Sequence, residues 1–204
     1  MSTIARCRPS ENPFASHRID AIDYRPQGTT WNELLTDLER LQWRAAVVGP
    51  EGSGKTTLLE ALALRTESAV LVKLGGAHTS PLTAAITQLP RPITARHTVF
   101  VDAAERLGRL GWWRLRHAAR KGRGLVATLH SPGRLPTLVR CDTSTALLSE
   151  LVRELAPEDA GALEPILEGM FRRHGGNLRL CFQELYDVYA GRRTEMAKGL
   201  WTRG

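Results

Sequence analysis

Short runs that are apolar almost throughout, separated by stretches of helical period, fill the middle of the chain. Arg44–Val48, Ser68–Leu74, Thr98–Asp102 and Gly124–His130 do not alternate in polarity, the pattern of strands covered on both faces. Between them the period changes. Thr30-x-x-Glu33 forms a capping box ahead of Leu34, Leu38 and Leu41, spaced i, i+4, i+7. Leu58, Leu59, Ala61, Leu62 and Leu64 predict a buried helix after the first run, and 104–122 a further helix whose first turns Gly108 and Gly111 weaken. A short helix is expected over Pro81 to Leu89, before a loop marked by Pro90 and Pro92. Thr137–Cys141 reads as a short edge strand or no strand, because about six residues separate it from the run before and parallel neighbours normally need a crossover of a dozen or more. From Thr143 the chain is helical, over 144–155, 157–173 and 177–190. Leu178, Cys181, Phe182, Leu185, Val188 and Tyr189 give the last helix one apolar face.

Strands alternating with helices predict an α/β fold, three layers deep around a mostly parallel sheet, followed by a helical C-terminal segment. The expected division is an extended lead-in over 1–29, holding Pro9, Pro13 and Pro26, a core over 30–142, helices over 143–190 and a tail over 191–204. Within the lead-in, Phe14, Ile19, Ile22 and Tyr24 supply apolar surface to lie against the core. Tyr24 reads first as a packing residue and second as a stacking partner for a base.

The chemistry gathers after the first strand. Gly49-Pro50-Glu51-Gly52-Ser53-Gly54-Lys55-Thr56-Thr57 has the spacing G-x-x-x-x-G-K-T between a strand and a helix. Glycines there let backbone N–H groups turn inward around a polyphosphate, and the loop feeds the positive end of a helix. Lys55 then reaches the β- and γ-phosphates, and the Thr56 hydroxyl is placed for Mg²⁺. Asp102 ends a buried strand, where a carboxylate faces the ligand crevice of a parallel sheet and serves as a metal ligand or as the cap of the next helix. ATP and Mg²⁺ are the expected cofactors, since no guanine-reading N-K-x-D element occurs.

Bulk composition narrows the setting. The 204 residues, 42% apolar and 24% charged, suit one globular core with a small appendage. Three widely spaced cysteines, Cys7, Cys141 and Cys181, suit free thiols in a reducing cytoplasm rather than disulfides or a metal site. No apolar stretch approaches the ~18 residues of a membrane span, so a cytoplasmic protein without membrane contact is expected. The net charge of +7 is concentrated between Arg106 and Arg123, where Arg106, Arg109, Arg114, Arg116, Arg120, Lys121 and Arg123 occur with no acidic residue. Helical spacing puts Trp112, Leu115 and Ala119 on one side, and Arg109, Trp113, Arg116 and Arg120 on the other. Two readings stand for that second side: a nucleic-acid surface, or a solvated face.

In the order of these motifs the chain, over about residues 30–190, resembles the additional-strand P-loop ATPases, specifically their AAA+ and STAND branches. The resemblance implies a strand inserted between the phosphate-loop strand and the strand ending in Asp102. Its tip, Thr128 to Ser131, would carry a γ-phosphate sensor, with His130 as the candidate. It implies that the C-terminal helices form a lid in which Gly175-Gly176-Asn177-Leu178-Arg179 presents Arg179 to the nucleotide. Two departures follow. Members that hydrolyse well carry a glutamate directly after the strand aspartate, where this chain has Ala103, with Glu105 two positions on as the substitute. The segment that would lead to an arginine finger is short and contains only Arg134. The expected activity is a slow, Mg²⁺-dependent ATPase with catalytic candidates Glu105, His130 and Arg179, acting as a regulator or DNA-processing accessory. The alternatives are a non-hydrolysing nucleotide-gated module with a protein partner or as a homo-oligomer, and a small-molecule kinase.

Overall fold

The computed structural model describes residues 8–75, 81, 83 and 87–191. Cys7, the tail beyond Gly191 and positions 82 and 84–86 of the helix expected over 81–89 lie outside them. The chain divides into two compact units, one comprising Asp23–Pro50 and Gly54–Cys141, the other Met1–Ile22, Glu51–Ser53 and Asp142–Gly204. Among the described residues no helix is long and apolar enough to cross a membrane.

The first unit is an α/β layer structure around a five-stranded, all-parallel sheet. Its strands are β1 (Arg44–Val48), β2 (Ala69–Lys73), β3 (Thr98–Asp102), β4 (Gly124–Leu129) and β5 (Thr137–Arg140), in the order β2-β3-β4-β1-β5. β4 therefore lies between β1 and β3. The apolar runs are continuous because both faces of the sheet are covered. Ala46, Val48, Val99, Val101, Leu125 and Ala127 pack on one face with Trp112 and Leu115 of a helix over Arg109–Ala118. Ala45, Val47, Phe100 and Val126 pack on the other with Leu34 and Leu38 of α2 (Trp31–Arg40) and Leu58, Leu59 and Leu62 of α3 (Lys55–Leu64). The capping box of α2 forms in both halves, Thr30 Oγ1 accepting from Glu33 N–H at 3.2 Å and Glu33 Oε2 from Thr30 N–H at 2.8 Å. That backbone bond, ahead of those from the Thr30 and Thr29 hydroxyls, holds the Glu33 carboxyl below its ordinary pKa.

Of two expectations, the first is met and the second corrected. β5 is the short edge strand, and it is parallel despite its short connection. It pairs with β1 rather than β4, and only from Ala46 onward, so the link from β4 has little of the sheet to descend. The helix expected over 104–122 is three pieces. A 3₁₀ turn covers Ala104–Arg106, α4 runs Arg109–Ala118, and a second 3₁₀ turn covers Ala119–Lys121. Gly108, extended at φ −61° and ψ 174°, breaks the first from the second.

The second unit has its own core. α5 (Thr145–Leu155), α6 (Ala160–Arg173) and α7 (Leu178–Tyr189) bury Leu148, Val152, Leu163, Leu167, Met170, Cys181, Phe182 and Leu185 together. α6 starts later than Pro157, and its N-cap residue Asp159 makes no cap bond but accepts from Tyr189 Oη at 2.6 Å. Asn177 caps α7 by accepting from Leu180 N–H at 3.2 Å. Gly52, a member of this unit, approaches that cap so closely that an added Cβ would fall 2.0 Å from Asn177 Oδ1. The lead-in is not simply extended. Asn12, fully buried, accepts from Phe14 N–H and donates to Tyr186 O, both at 3.0 Å, ahead of the short α1 (Ser16–Ile19). Phe14 then stacks on Phe182 at 6.1 Å and tilts against Tyr189 at 5.5 Å. Phe14→Ala is expected to cost about 3–5 kcal/mol of stability in urea unfolding followed by circular dichroism. A loss under ~1 kcal/mol would mean that this anchor contributes nothing beyond a surface contact.

Candidate active site

The site residues of the first unit collect at the carboxyl ends of β1, β3 and β4. After Val48 the chain turns through Gly49 and Pro50 to Gly54 and enters α3 at Lys55. Gly52 and Gly54 have φ of +73° and +80°, conformations an L side chain rarely adopts. Gly54 is the N-cap of α3, and no side chain caps that end, so the positive end of the helix dipole is left to the loop. Lys55 is buried at 8% exposure and donates from Nζ to Pro50 O at 2.5 Å, curling its charge into the turn. Ser53 is buried as well, while Pro50, Glu51 and Thr57 are exposed.

Thr56 reaches the tip of β3. Its hydroxyl lies 3.0 Å from Asp102 Oδ1 and 3.1 Å from Oδ2. Thr128, buried near the end of β4, donates to Asp102 Oδ1 at 2.9 Å and accepts from Ala103 N–H at 2.7 Å. The Asp102 carboxylate is thus held between two threonine hydroxyls. Strand parity explains the meeting. Phe100 and Val126 face α3, so Asp102 and Thr128, two positions further along each strand, face the same side. Thr128 entered the sequence reading only as the start of a four-residue tip, and the parity of β4 would have singled it out.

Beyond Asp102 the backbone turns sharply. Ala103 is left-handed at φ +60° and ψ +38°, and its methyl packs with the apolar cluster on the α4 side. The 3₁₀ turn that follows presents Glu105 instead. Glu105 Oε1 lies 3.2 Å from His130 Nε2, while Oε2 is buried with no hydrogen-bond partner among the described residues. Arg134 holds this turn in place. Its guanidinium donates to Ala104 O at 2.9 Å and Leu107 O at 2.8 Å and lies over the Trp112 ring at 5.3 Å, and so is engaged within its own chain. Tyr24 packs rather than stands free. Its ring lies edge-on to Trp31 at 6.1 Å, and its hydroxyl is 3.8 Å from Cys141 Sγ. Burial first, then the neighbouring thiol, raises its pKa above the ordinary value.

Arg179 belongs to the second unit, exposed on the first turn of α7, and forms no ion pair among the described residues. Cys141 and Cys181 are both buried. Burial, reinforced by the charge of Glu184, pushes the Cys181 thiol up to about 11. No protein-family model matches the chain, and none of the curated proteins is detectably similar to it.

Among the described residues no group of three or more His, Cys, Asp and Glu side chains converges as a metal cage. The Thr56 hydroxyl and Asp102 carboxylate are nevertheless adjacent hard oxygen donors. That set fits Mg²⁺, which is usually held by one or two protein oxygens and completes its shell with phosphate and water.

Proposed function

We propose that the chain binds ATP with Mg²⁺ through Gly49–Thr57 and hydrolyses it slowly. The observation that carries this reading is the convergence of Lys55, Thr56, Asp102 and Thr128 at the carboxyl ends of three adjacent parallel strands, behind a glycine turn that opens α3. Backbone N–H groups of the loop and the α3 N-terminus receive the phosphates. Lys55 exchanges the Pro50 carbonyl for β- and γ-phosphate oxygens. Thr56 and Asp102 hold Mg²⁺, which neutralises charge on the phosphates when bound. Thr128 fixes the Asp102 carboxylate and so acts as a positioning residue. The position of β4 between β1 and β3 supports the resemblance to AAA+ and STAND ATPases.

Glu105 supplies the carboxylate that Ala103 cannot. Its buried Oε2, without a hydrogen-bond partner among the described residues, would have to become accessible to position the attacking water, while His130 contacts the other oxygen. Glu105 sits on a 3₁₀ turn rather than directly at the strand tip, which is the physical basis for slow turnover. By the resemblance, Arg179 would be the lid residue presented to the nucleotide, and the lid would respond only to the extent that ATP and ADP favour its two arrangements unequally.

Asp102→Asn tests the metal assignment. In the parent, chelating Mg²⁺ weakens ATP binding, whereas in the variant calorimetric titrations with Mg²⁺ and with chelator should nearly coincide. A variant that keeps the parent's Mg²⁺ dependence rules Asp102 out as a ligand.

A second reading, a nucleotide-gated binding module without turnover, is favoured by the methyl group of Ala103 at the usual carboxylate position. Phosphate release no greater than that of Lys55→Ala, alongside retained ATP binding, would select it. Release that requires an added acceptor would instead mark a kinase.

A further inference from the structure

The outer face of α4 has no part in the proposed ATP chemistry. Trp112 and Leu115 point into the core, whereas Trp113 is 60% exposed and stacks on exposed His117, ring centroids 5.6 Å apart and planes at 25°. Arg109 and Arg116 share that face at helical spacing, with Arg114 beside it and Arg120 and Lys121 on the 3₁₀ turn that continues the helix, all exposed. Elsewhere on the molecule some surface arginines find acids, Arg40 with Asp37, Arg153 with Glu164, Arg172 with Glu168 and Arg173 with Glu184, while others, such as Arg18, Arg96 and Arg179, do not among the described residues. The arginines of this face pair with no acidic group among the described residues, and no acid occurs between Arg106 and Arg123. Cations left without counter-charges around an uncovered aromatic stack form a surface complementary to a strand carrying both phosphates and flat bases.

We propose that this face of α4 binds single-stranded nucleic acid, its bases stacking on Trp113 and His117 and its phosphates on Arg109, Arg116 and Arg120. Arg109 and Arg120 are separated by about 17 Å along the axis of α4 and the 3₁₀ turn that continues it, the span of about five nucleotides at ~3.4 Å each. A duplex hides its base faces between neighbouring pairs and leaves the stack unused, so single strands are preferred. An acidic peptide would satisfy the arginines but offer no plane to the tryptophan. A membrane would need a broad apolar face, and here only Leu110 and Trp113 of α4 are exposed large hydrophobics.

The test uses the full chain without nucleotide and a labelled oligothymidylate of about 15 nucleotides, the upper range of a single-strand site, read by fluorescence anisotropy. Binding should weaken with salt, with a log–log slope of about −2 for three phosphate contacts on a single strand. Trp113→Ala should lower affinity roughly 5- to 100-fold, the worth of one stacked base, and Trp113→Phe should recover much of it. Arg116→Glu with Arg120→Glu should remove most binding and flatten the slope. These side chains are exposed, so circular dichroism and melting temperature should match the parent. Any of four outcomes overturns the proposal: no oligothymidylate binding, Trp113→Ala binding as tightly as the parent, a hairpin duplex binding as tightly as the single strand, or polyglutamate or anionic vesicles competing equally at matched charge.

Discussion

Glu105→Gln is expected to lower steady-state phosphate release from Mg-ATP by about 10²–10⁴-fold, the usual contribution of a positioned general base. The reason is geometric. Ala103 places a methyl group against the apolar cluster, and the next carboxylate along the chain is Glu105, one oxygen beside His130 and the other buried without a partner among the described residues. Glutamine keeps the shape and removes the charge and the basic oxygen. ATP affinity should change little, because the proposed role gives Glu105 no contact with the bound phosphates. Its companion His130→Ala should cost less, since His130 acts through Glu105. Unchanged turnover in Glu105→Gln would remove Glu105 from the mechanism, and a matching loss of ATP affinity would show a binding defect instead.

Lys55→Ala is expected to weaken ATP binding by roughly 10- to 100-fold, the worth of a hydrogen bond to a charged group. Lys55 is buried in the loop with its ammonium on Pro50 O, so its stem is already ordered and only the ammonium would change partner when phosphates bind, which leaves little side-chain entropy to be lost. Calorimetric titration of ATP against parent and variant reads the effect directly. AMP, which lacks the β- and γ-phosphates, should separate the two proteins far less. Equal ATP affinity in both would dissociate the 49–57 loop from phosphate binding.

The strands were legible because burial on both faces makes each a continuous apolar run, and the capping box of α2 because both of its halves lie within four residues. β5 was ambiguous because its pairing depends on which strand stands between it and β4, and the spacing that argues against a parallel neighbour says nothing about a strand once removed. The broken helix before α4 was visible in Gly108, but the depth of the break was not. It depends on the left-handed turn at Ala103 and on Arg134 holding Ala104 and Leu107 from a distant loop. The pairing of Glu105 with His130 was hidden for the same reason, since neither residue sits on a regular strand or α-helix. Asn12 and Phe14 could be read only as apolar or polar positions in a lead-in. The Asn12 partner, Tyr186, lies 174 positions away, and no local period points to it.

The most direct test of the nucleotide assignment is equilibrium binding of ATP to the unaltered chain, with and without Mg²⁺, by calorimetry supported by thermal melting. The account predicts one ATP per chain, tighter with Mg²⁺, and a rise in melting temperature that grows with ligand concentration as linkage requires. No heat of binding and no thermal shift at millimolar Mg-ATP, from a protein whose circular dichroism shows it folded, would contradict it.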